Sequence, residues 1–376
     1  MTREGTATTG RPHCGYFVPM VKLAQFLRAG CTVKILLADI HGFLDNLKAP
    51  IELINYRAQY YRHVISALLV SLHVPVDRLE FVLGSSYQLT AKYTMDLFRL
   101  CSVVTEHDAK RAGAEVVKQV ASPLLSGLLY PLMQALDEEH LGVDAQFGGV
   151  DQRKIFTLAA EQLSKIGYKE RAHLMNPMVP GLAGGKMSSS EPDSKIDLLD
   201  TAELVKKKLK KAFAVPKEVE GNGIISFVEY VLLPVSGLQN DGKAKFVVAR
   251  REGEGEPLEY SDIAAVKEDY KVDKLTPQSL KSAVTTALVA LLAPIQADFL
   301  SSEAWQETER LAYPPPVAEK KKKEKKVKDK GTGRPGAKVV AKVDDSEGRA
   351  KEGSNSGTDA KEAMEKLDVA GESVQS

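Results

Sequence analysis

The apolar residues fall into short blocks whose spacing switches between two kinds. In residues 16–29, Val18, Val21, Leu23, Phe26 and Leu27 recur at helical spacing, and Gly30 stops the run. Residues 32–38 form a short β-branched and aliphatic run, read as a buried strand. Asp39-Ile40-His41-Gly42 ends it at the carboxyl edge, where open α/β sheets place ligands; Asp39 and His41 either face a substrate or cap the strand end. Residues 50–72 predict a long helix with Ile51, Leu53, Ile54, Tyr60, Ile65 and Leu69 as its stripe. Residues 79–83 predict another strand, and helices follow through 116. Only four residues precede Gly5. A nucleotide-binding α/β domain normally leads into its phosphate turn with an apolar strand. Here that strand is expected to be almost absent, and the chain to lack an N-terminal piece.

Past Glu191 the pattern changes. Asp200 predicts a helix start with Glu203 as its capping partner. Leu204, Leu209 and Phe213 are then expected inward, with Lys206, Lys207, Lys208, Lys210 and Lys211 outward. Residues 224–233 read as a helix, and 246–250 with 258–260 as a hairpin around Gly253-Glu254-Gly255. Pro277 opens a helix through Ala293, where Pro294 is expected to interrupt it. The prediction is an α/β chain with a Rossmann-like parallel-sheet domain over 1–196 and a mostly α-helical domain over 197–316. A disordered Lys-rich tail follows over 317–376. Residues 320–330 hold eight lysines against Glu324 and Asp329, and no aromatic follows. Such a segment cannot bury enough apolar surface to offset its ordering entropy.

Composition narrows the class. The 376 residues are 43% hydrophobic and 27% charged, as in an ordinary globular protein. Cys14, Cys31 and Cys101 are too few and too scattered for a disulfide framework or a zinc site, and a cytoplasmic setting is the simplest reading. No apolar run is read as approaching the roughly 18 residues that span a bilayer. The N-terminus has no signal-peptide core. A net charge of +1 says little, because the basic residues are clustered.

Two glycine-containing stretches carry candidate chemistry. Gly184-Gly185-Lys186-Met187-Ser188-Ser189-Ser190 frees the backbone beside one point charge and three hydroxyls; it is either a loop that closes over a polyphosphate or a solvated linker. Thr6-Ala7-Thr8-Thr9-Gly10-Arg11-Pro12-His13-Cys14-Gly15-Tyr16 reads as a strand end, a turn and a helix start, a natural site for phosphate or adenosine. Tyr130, Gln134 and Asp137 sit at i, i+4 and i+7, placing a phenol, an amide and a carboxylate on one helical face. That stripe points either to a ligand or to solvent. Pro131 lies in the first turn of this helix or kinks it. The lysines of 206–211 bind nucleic-acid phosphates, act as a nuclear localisation signal, or are simply solvated.

Lys186 to Ser190 resembles the K-M-S-K-S signature of class I aminoacyl-tRNA synthetases, with Ser189 replacing its second lysine. His13-Cys14-Gly15-Tyr16 resembles the H-I-G-H signature of the same class, with Tyr16 replacing the final His. Leu125-Ser126-Gly127-Leu128-Leu129-Tyr130-Pro131 and residues 143–154 resemble the tyrosine pocket of the eukaryotic cytosolic tyrosyl-tRNA synthetases. The resemblance runs over roughly residues 5–314 in four ordered segments.

That resemblance implies a ligase that joins tyrosine to tRNA(Tyr) through tyrosyl-adenylate. ATP with Mg²⁺ is the co-substrate, with no prosthetic group and no dedicated metal ligands. It assigns catalytic roles to His13, Lys186 and Ser190, and ATP contacts to Gly10, His13, Gly15, Lys186, Met187, Ser188, Ser189 and Ser190. Tyr130, Gln134, Asp137 and Gln152 hold tyrosine, with Asp137 accepting from the phenol. Lys206, Lys207, Lys208, Lys210 and Lys211 are candidate tRNA contacts. A homodimer, no membrane partner, a cytoplasmic location and a nuclear pool through Lys206–Lys211 are further expectations. Arg3 and Glu4 stand where the family carries a substrate-holding tyrosine, and Thr276 and Ser279 stand where it often carries an anticodon-contacting His and Asp; neither role is carried over. The rival readings are a tryptophanyl relative and an inactive chain that only binds tRNA or a protein partner.

Overall fold

The computed structural model describes residues 2–45, 50–117, 122–181, 195–250, 253 and 255–315. Residues 1–314 form one compact unit; a second unit, 315–376, lies outside the described residues apart from Pro315, and so does the expected disordered tail.

Strands β1 (Thr2–Ala7), β2 (Val33–Ala38), β3 (Leu79–Leu83), β4 (Ala145–Gly149) and β5 (Ala172–Asn176) make one parallel sheet in the order β3-β2-β1-β4-β5. The first strand is therefore present, at the sheet centre, against the expectation that little of one would form. Thr2–Ala7 pairs along its length with Val33–Ala38 and, on its other side, Thr2–Glu4 pairs with Ala145–Phe147. Backbone pairing on two sides satisfies the strand's N–H and C=O groups, and no apolar run is needed to mark it.

Between strands the chain forms α1 (Phe17–Arg28), α2 (Asp39–Leu44), α3 (Ile51–Ser71), α4 (Ser85–Gln88), α5 (Ala91–Cys101), α6 (Glu106–Gly113), α7 (Leu125–His140) and α8 (Arg153–Gln162). Pro131 sits inside α7 rather than in its first turn, and is buried. After β5 come α9 (Ala202–Lys211), α10 (Gly223–Phe227), a π-helical stretch Val228–Leu232, and α11 (Leu233–Gln239). The expected hairpin forms from β6 (Phe246–Val248) and β7 (Leu258–Tyr260), paired antiparallel. Helices α12 (Ile263–Lys271), α13 (Pro277–Ser301) and α14 (Glu303–Ala312) complete the described chain. The apolar core is continuous from α1, β2 and α3 into α9, α13 and α14.

Three expectations about the helical part are corrected. Thr201, not Asp200 with Glu203, caps α9 by accepting from the Leu204 N–H; Asp200 instead pairs with Lys208. Val205 and Leu209 face inward while Leu204 and Phe213 are exposed, so Lys208 is drawn to the protein side of the helix. Pro294 does not end α13. Pro294 and Ala290, whose carbonyl loses its helical donor, both face solvent, where water can serve that carbonyl. Helix α13 is also apolar enough, at mean hydropathy 1.7 over 18 residues, to match a membrane span by length and composition, contrary to the sequence reading. Its Leu280, Val284, Leu288, Leu292 and Ile295 are buried in the core, but only 33% of that window is buried, so the helix covers the core with one face.

Candidate active site

The site lies at the carboxyl ends of the central strands. A cavity of about 280 Å³ is lined by Gly5, Thr6, His13, Gly15, Tyr16, Gly149, Asp151 and Asn176 among others. These come from the ends of β1, β4 and β5 and from the turn that follows β1. A doubly wound sheet opens its ligand crevice at such a point. Clefts of about 950 and 1040 Å³ lie elsewhere, along α13, away from the strand ends.

His13 caps the short 3-10 helix Cys14–Tyr16; its Nδ1 accepts from the Gly15 N–H at 3.2 Å. The remaining ring nitrogen, Nε2, then carries the proton and is a donor. Burial, reinforced by the nearby Lys195 charge, lowers the His13 pKa from 6.5 to about 4. At neutral pH His13 is thus an uncharged donor on the cavity wall. The turn is held from behind. Tyr61 and Tyr313 both donate to the Gly10 carbonyl, at 2.6 and 2.9 Å. Cys14 N–H donates to the Ile196 carbonyl at 2.9 Å, and His13 forms a β-bridge with Asp197.

The α7 stripe faces inward. Tyr130, Gln134 and Asp137 are all buried, Asp137 completely. Gln134 Nε2 donates to Gln152 Oε1 at 2.9 Å, joining the stripe to the Val150–Gln152 turn on the cavity rim. His13 and Gly15 thus line the cavity, Tyr130, Gln134 and Asp137 lie on one buried face of α7 that reaches its rim through Gln152, and Gly10 lines a neighbouring cleft with Arg11 and Lys195. Lys186, Met187, Ser188, Ser189 and Ser190 lie outside the described residues. Lys206, Lys207, Lys210 and Lys211 are exposed on α9, well apart in the chain from the site, whereas Lys208 donates to Asp200 Oδ2 at 2.6 Å.

Asp39 and His41 take different parts. Asp39 Oδ1 accepts from the Ser85 N–H at 2.9 Å, tying the end of β2 to the start of α4, and burial raises its pKa. Gly84 is confined beside it: a Cβ there would stand 2.7 Å from Asp39 Oδ1 and from Gln88 Oε1. His41 packs edge-on against the Tyr130 ring at 4.7 Å, with Nε2 3.8 Å from Asp137 Oδ2.

Sequence reasoning missed the donors that hold Asp137. Its Oδ1 accepts from Tyr87 Oη at 2.7 Å, Gln88 Nε2 at 2.8 Å and Tyr93 Oη at 3.0 Å. These residues come from α4 and α5, some 45 positions upstream, and nothing local in the chain announces that the two regions meet.

The family model for class I tRNA synthetases (W and Y) matches residues 3–293. The chain belongs to that family. It is 58% identical over 335 residues to the cytoplasmic tyrosine–tRNA ligase of Saccharomyces cerevisiae, covering 89% of this chain and 85% of that one. With the cytoplasmic tyrosine–tRNA ligase of Danio rerio it shares 58% identity over 316 residues, 84% of this chain and 58% of the relative. Among solved structures, tyrosyl-tRNA synthetase from Archaeoglobus fulgidus, complexed with L-tyrosine, superposes with a TM-score of 0.72. That structure is 37% identical, and the match covers 79% of this chain and 89% of the other. The Rossmann-like parallel sheet of this class is thus the fold of this chain.

Proposed function

We propose that this chain is a cytoplasmic tyrosine–tRNA ligase, and that the deciding feature is the buried acceptor Asp137 on the same helical face as Tyr130 and Gln134. Tyrosine and ATP react to tyrosyl-adenylate and pyrophosphate, and the tyrosyl group then passes to the 3′ end of tRNA(Tyr). Asp137 accepts the substrate's phenol O–H, while Tyr130, Gln134 and Gln152 hold the ammonium end. Phenylalanine offers no O–H to this buried acceptor and so gains none of that interaction. Tyrosyl-tRNA synthetase is itself the standing example of such discrimination, at roughly 10⁵-fold.

The attacking atom is a carboxylate oxygen of tyrosine, so no protein nucleophile is required. The O–P bond forms at the α-phosphorus as the bond to pyrophosphate breaks. What the protein supplies is positioning and charge stabilisation. His13, neutral and with its proton on Nε2, donates to a phosphate oxygen; Gly10 and Gly15 let the backbone come close to ATP. Lys186 and Ser190 contact the leaving pyrophosphate, and Met187, Ser188 and Ser189 add ATP contacts. Mg²⁺ would accompany ATP and offset charge on its phosphates.

Residues 1–196 serve catalysis and residues 197–316 anticodon binding. The exposed lysines of α9 add tRNA phosphate contacts, and Lys206–Lys211 supports a nuclear pool. Two copies associate through α5 and the start of α7, where Leu89, Met95, Phe98, Leu124 and Leu125 are exposed by 57–76%. The test is amino-acid-dependent ATP–pyrophosphate exchange. Exchange with tyrosine, and little with tryptophan or phenylalanine, is expected; its absence with tyrosine overturns the reading. Lys186→Ala lowers adenylation while leaving tyrosine binding nearly unchanged.

A further inference from the structure

Two helices meet through a square of four side chains. Tyr93 and Asp96 sit at i and i+3 on α5, and Asp137 and His140 at i and i+3 on α7, so each pair shares one helical face. The pairs are matched crosswise. Tyr93 Oη lies 3.0 Å from Asp137 Oδ1 and 2.9 Å from the Met133 carbonyl and shares its one proton between them, and His140 Nε2 lies 3.1 Å from Asp96 Oδ2. A carboxylate can only accept, so Nε2 is the donor. His140 also lies against both tyrosines that hold Asp137. Its ring centroid is 4.7 Å from that of Tyr93 and 6.4 Å from that of Tyr87, the second pair stacked within 17°.

Asp96 is in turn immobilised. It accepts from Tyr168 Oη at 2.5 Å and from Arg99 Nη1 at 2.9 Å, and Arg99 also donates to the Ile166 carbonyl. Burial alone would raise the Asp96 pKa; these hydrogen bonds and the facing His140 outweigh it and lower the pKa. A continuous path of contacts therefore runs from Arg99, near the surface, through Asp96 and His140 to the rings of Tyr87 and Tyr93. Those two hydroxyls, with Gln88, converge on one oxygen of a carboxylate that is 0% exposed. Tyr87 and Gln88, with the Tyr93 hydroxyl that Asp137 shares with the Met133 carbonyl, fix the rotation of the carboxylate and stabilise its acceptor form. A preorganised acceptor discriminates more sharply than one that can turn away from a missing partner.

We propose that Asp96 and His140 are positioning residues that, through the rings of Tyr87 and Tyr93, hold Asp137 as a fixed acceptor and so set the preference for tyrosine over phenylalanine. This rests on the ligase reading of the site. Neither residue touches substrate.

The experiment compares kcat/KM for tyrosine and for phenylalanine in ATP–pyrophosphate exchange, for the full chain and for Tyr93→Phe, His140→Phe and Asp96→Asn. All three keep side-chain size nearly unchanged, and His140→Phe keeps the stacked ring. Tyr93→Phe is expected to lower the tyrosine value roughly tenfold, mainly through KM, and to leave the phenylalanine value within about twofold. His140→Phe and Asp96→Asn lower the tyrosine value roughly three- to tenfold in the same selective way. A purely structural role lowers both substrates together. An unchanged tyrosine-to-phenylalanine ratio in His140→Phe and Asp96→Asn, with the parent chain active, overturns the positioning role alone. No tyrosine exchange by the parent chain overturns the ligase reading and the inference with it. If His140→Phe or Asp96→Asn is poorly folded by circular dichroism, Tyr168→Phe, which removes a donor from Asp96 and leaves His140 and Asp137 in place, is assayed instead. A selective fall in the tyrosine value supports the path, and an unchanged tyrosine-to-phenylalanine ratio overturns it.

Discussion

At the scale of single residues, environment decides chemistry. His13 has an ordinary imidazole, yet burial and the Lys195 charge lower its pKa to about 4. Between that value and 6.5 the unfolded chain binds a proton that the folded chain does not. The stability that His13 contributes is therefore complete above about pH 6.5 and is lost as pH falls towards 4, by up to about 3 kcal/mol. Denaturant unfolding measured at pH 7 and pH 4.5 should show this loss, and a His13→Gln variant should show a smaller one; equal losses would remove His13 as the source. The sequence identified this histidine from the turn around it. It could not disclose the charge state, which depends first on burial in the folded chain and then on Lys195, far along the sequence. Gly84 shows the same limit. It is one glycine among 28, and its necessity comes only from Asp39 and Gln88 standing where a Cβ would be.

At the scale of elements, the register of a helix separates residues of identical type. Five lysines lie on α9, and among the described residues only Lys208 forms an ion pair, with Asp200. Replacing Lys206, Lys207, Lys210 and Lys211 with Ala should weaken tRNA binding in low salt and flatten its salt dependence by roughly 0.7 to 0.9 in slope per lost phosphate contact. The unfolding midpoint should hardly move. Lys208→Ala should do the reverse, costing about 1 kcal/mol of stability with little change in salt slope, because it leaves the largely buried Asp200 carboxylate without its ion pair. Filter binding across a salt series and denaturant melts separate the two. Apolar periodicity located α9 but misjudged its phase by one residue. Leu204 and Val205 are equally apolar in the sequence, and only the position of α13 selects Val205 for burial. Pro294 was misread for a related reason: its ring and the freed Ala290 carbonyl lie on the solvent face, while Leu291, Leu292 and Ile295 are buried in the core and carry the helix past it.

At the scale of the whole molecule, the site is assembled where the sheet ends and α7 meets α5. Those same two helices present Met95, Phe98, Leu124 and Leu125 to solvent. Burying such a patch against a second copy is the simplest way to remove it from water. Met95→Glu with Phe98→Glu should then shift the chain from dimer to monomer in sedimentation equilibrium. Because α5 also carries Tyr93 and Asp96, tyrosine-dependent exchange should fall with dissociation. A monomeric variant with full exchange would separate the interface from the pocket, and an unchanged mass would place any dimer contact elsewhere.

By itself, the sequence determined the kinds of elements and much of their order, the polar stripe of Tyr130, Gln134 and Asp137, and the turn that presents His13. These are local properties, written in spacing along a few turns of chain or in one short loop. Tertiary structure alone decided that Thr2–Ala7 is the central strand, that Val205 and not Leu204 is buried, and that Tyr87, Gln88 and Tyr93 hold Asp137. Each of these depends on a hydrogen bond or a packing contact between segments far apart in sequence, 44 positions in the case of Tyr93 and Asp137. The energy of such a contact belongs to the pair, so neither residue's local surroundings can reveal it.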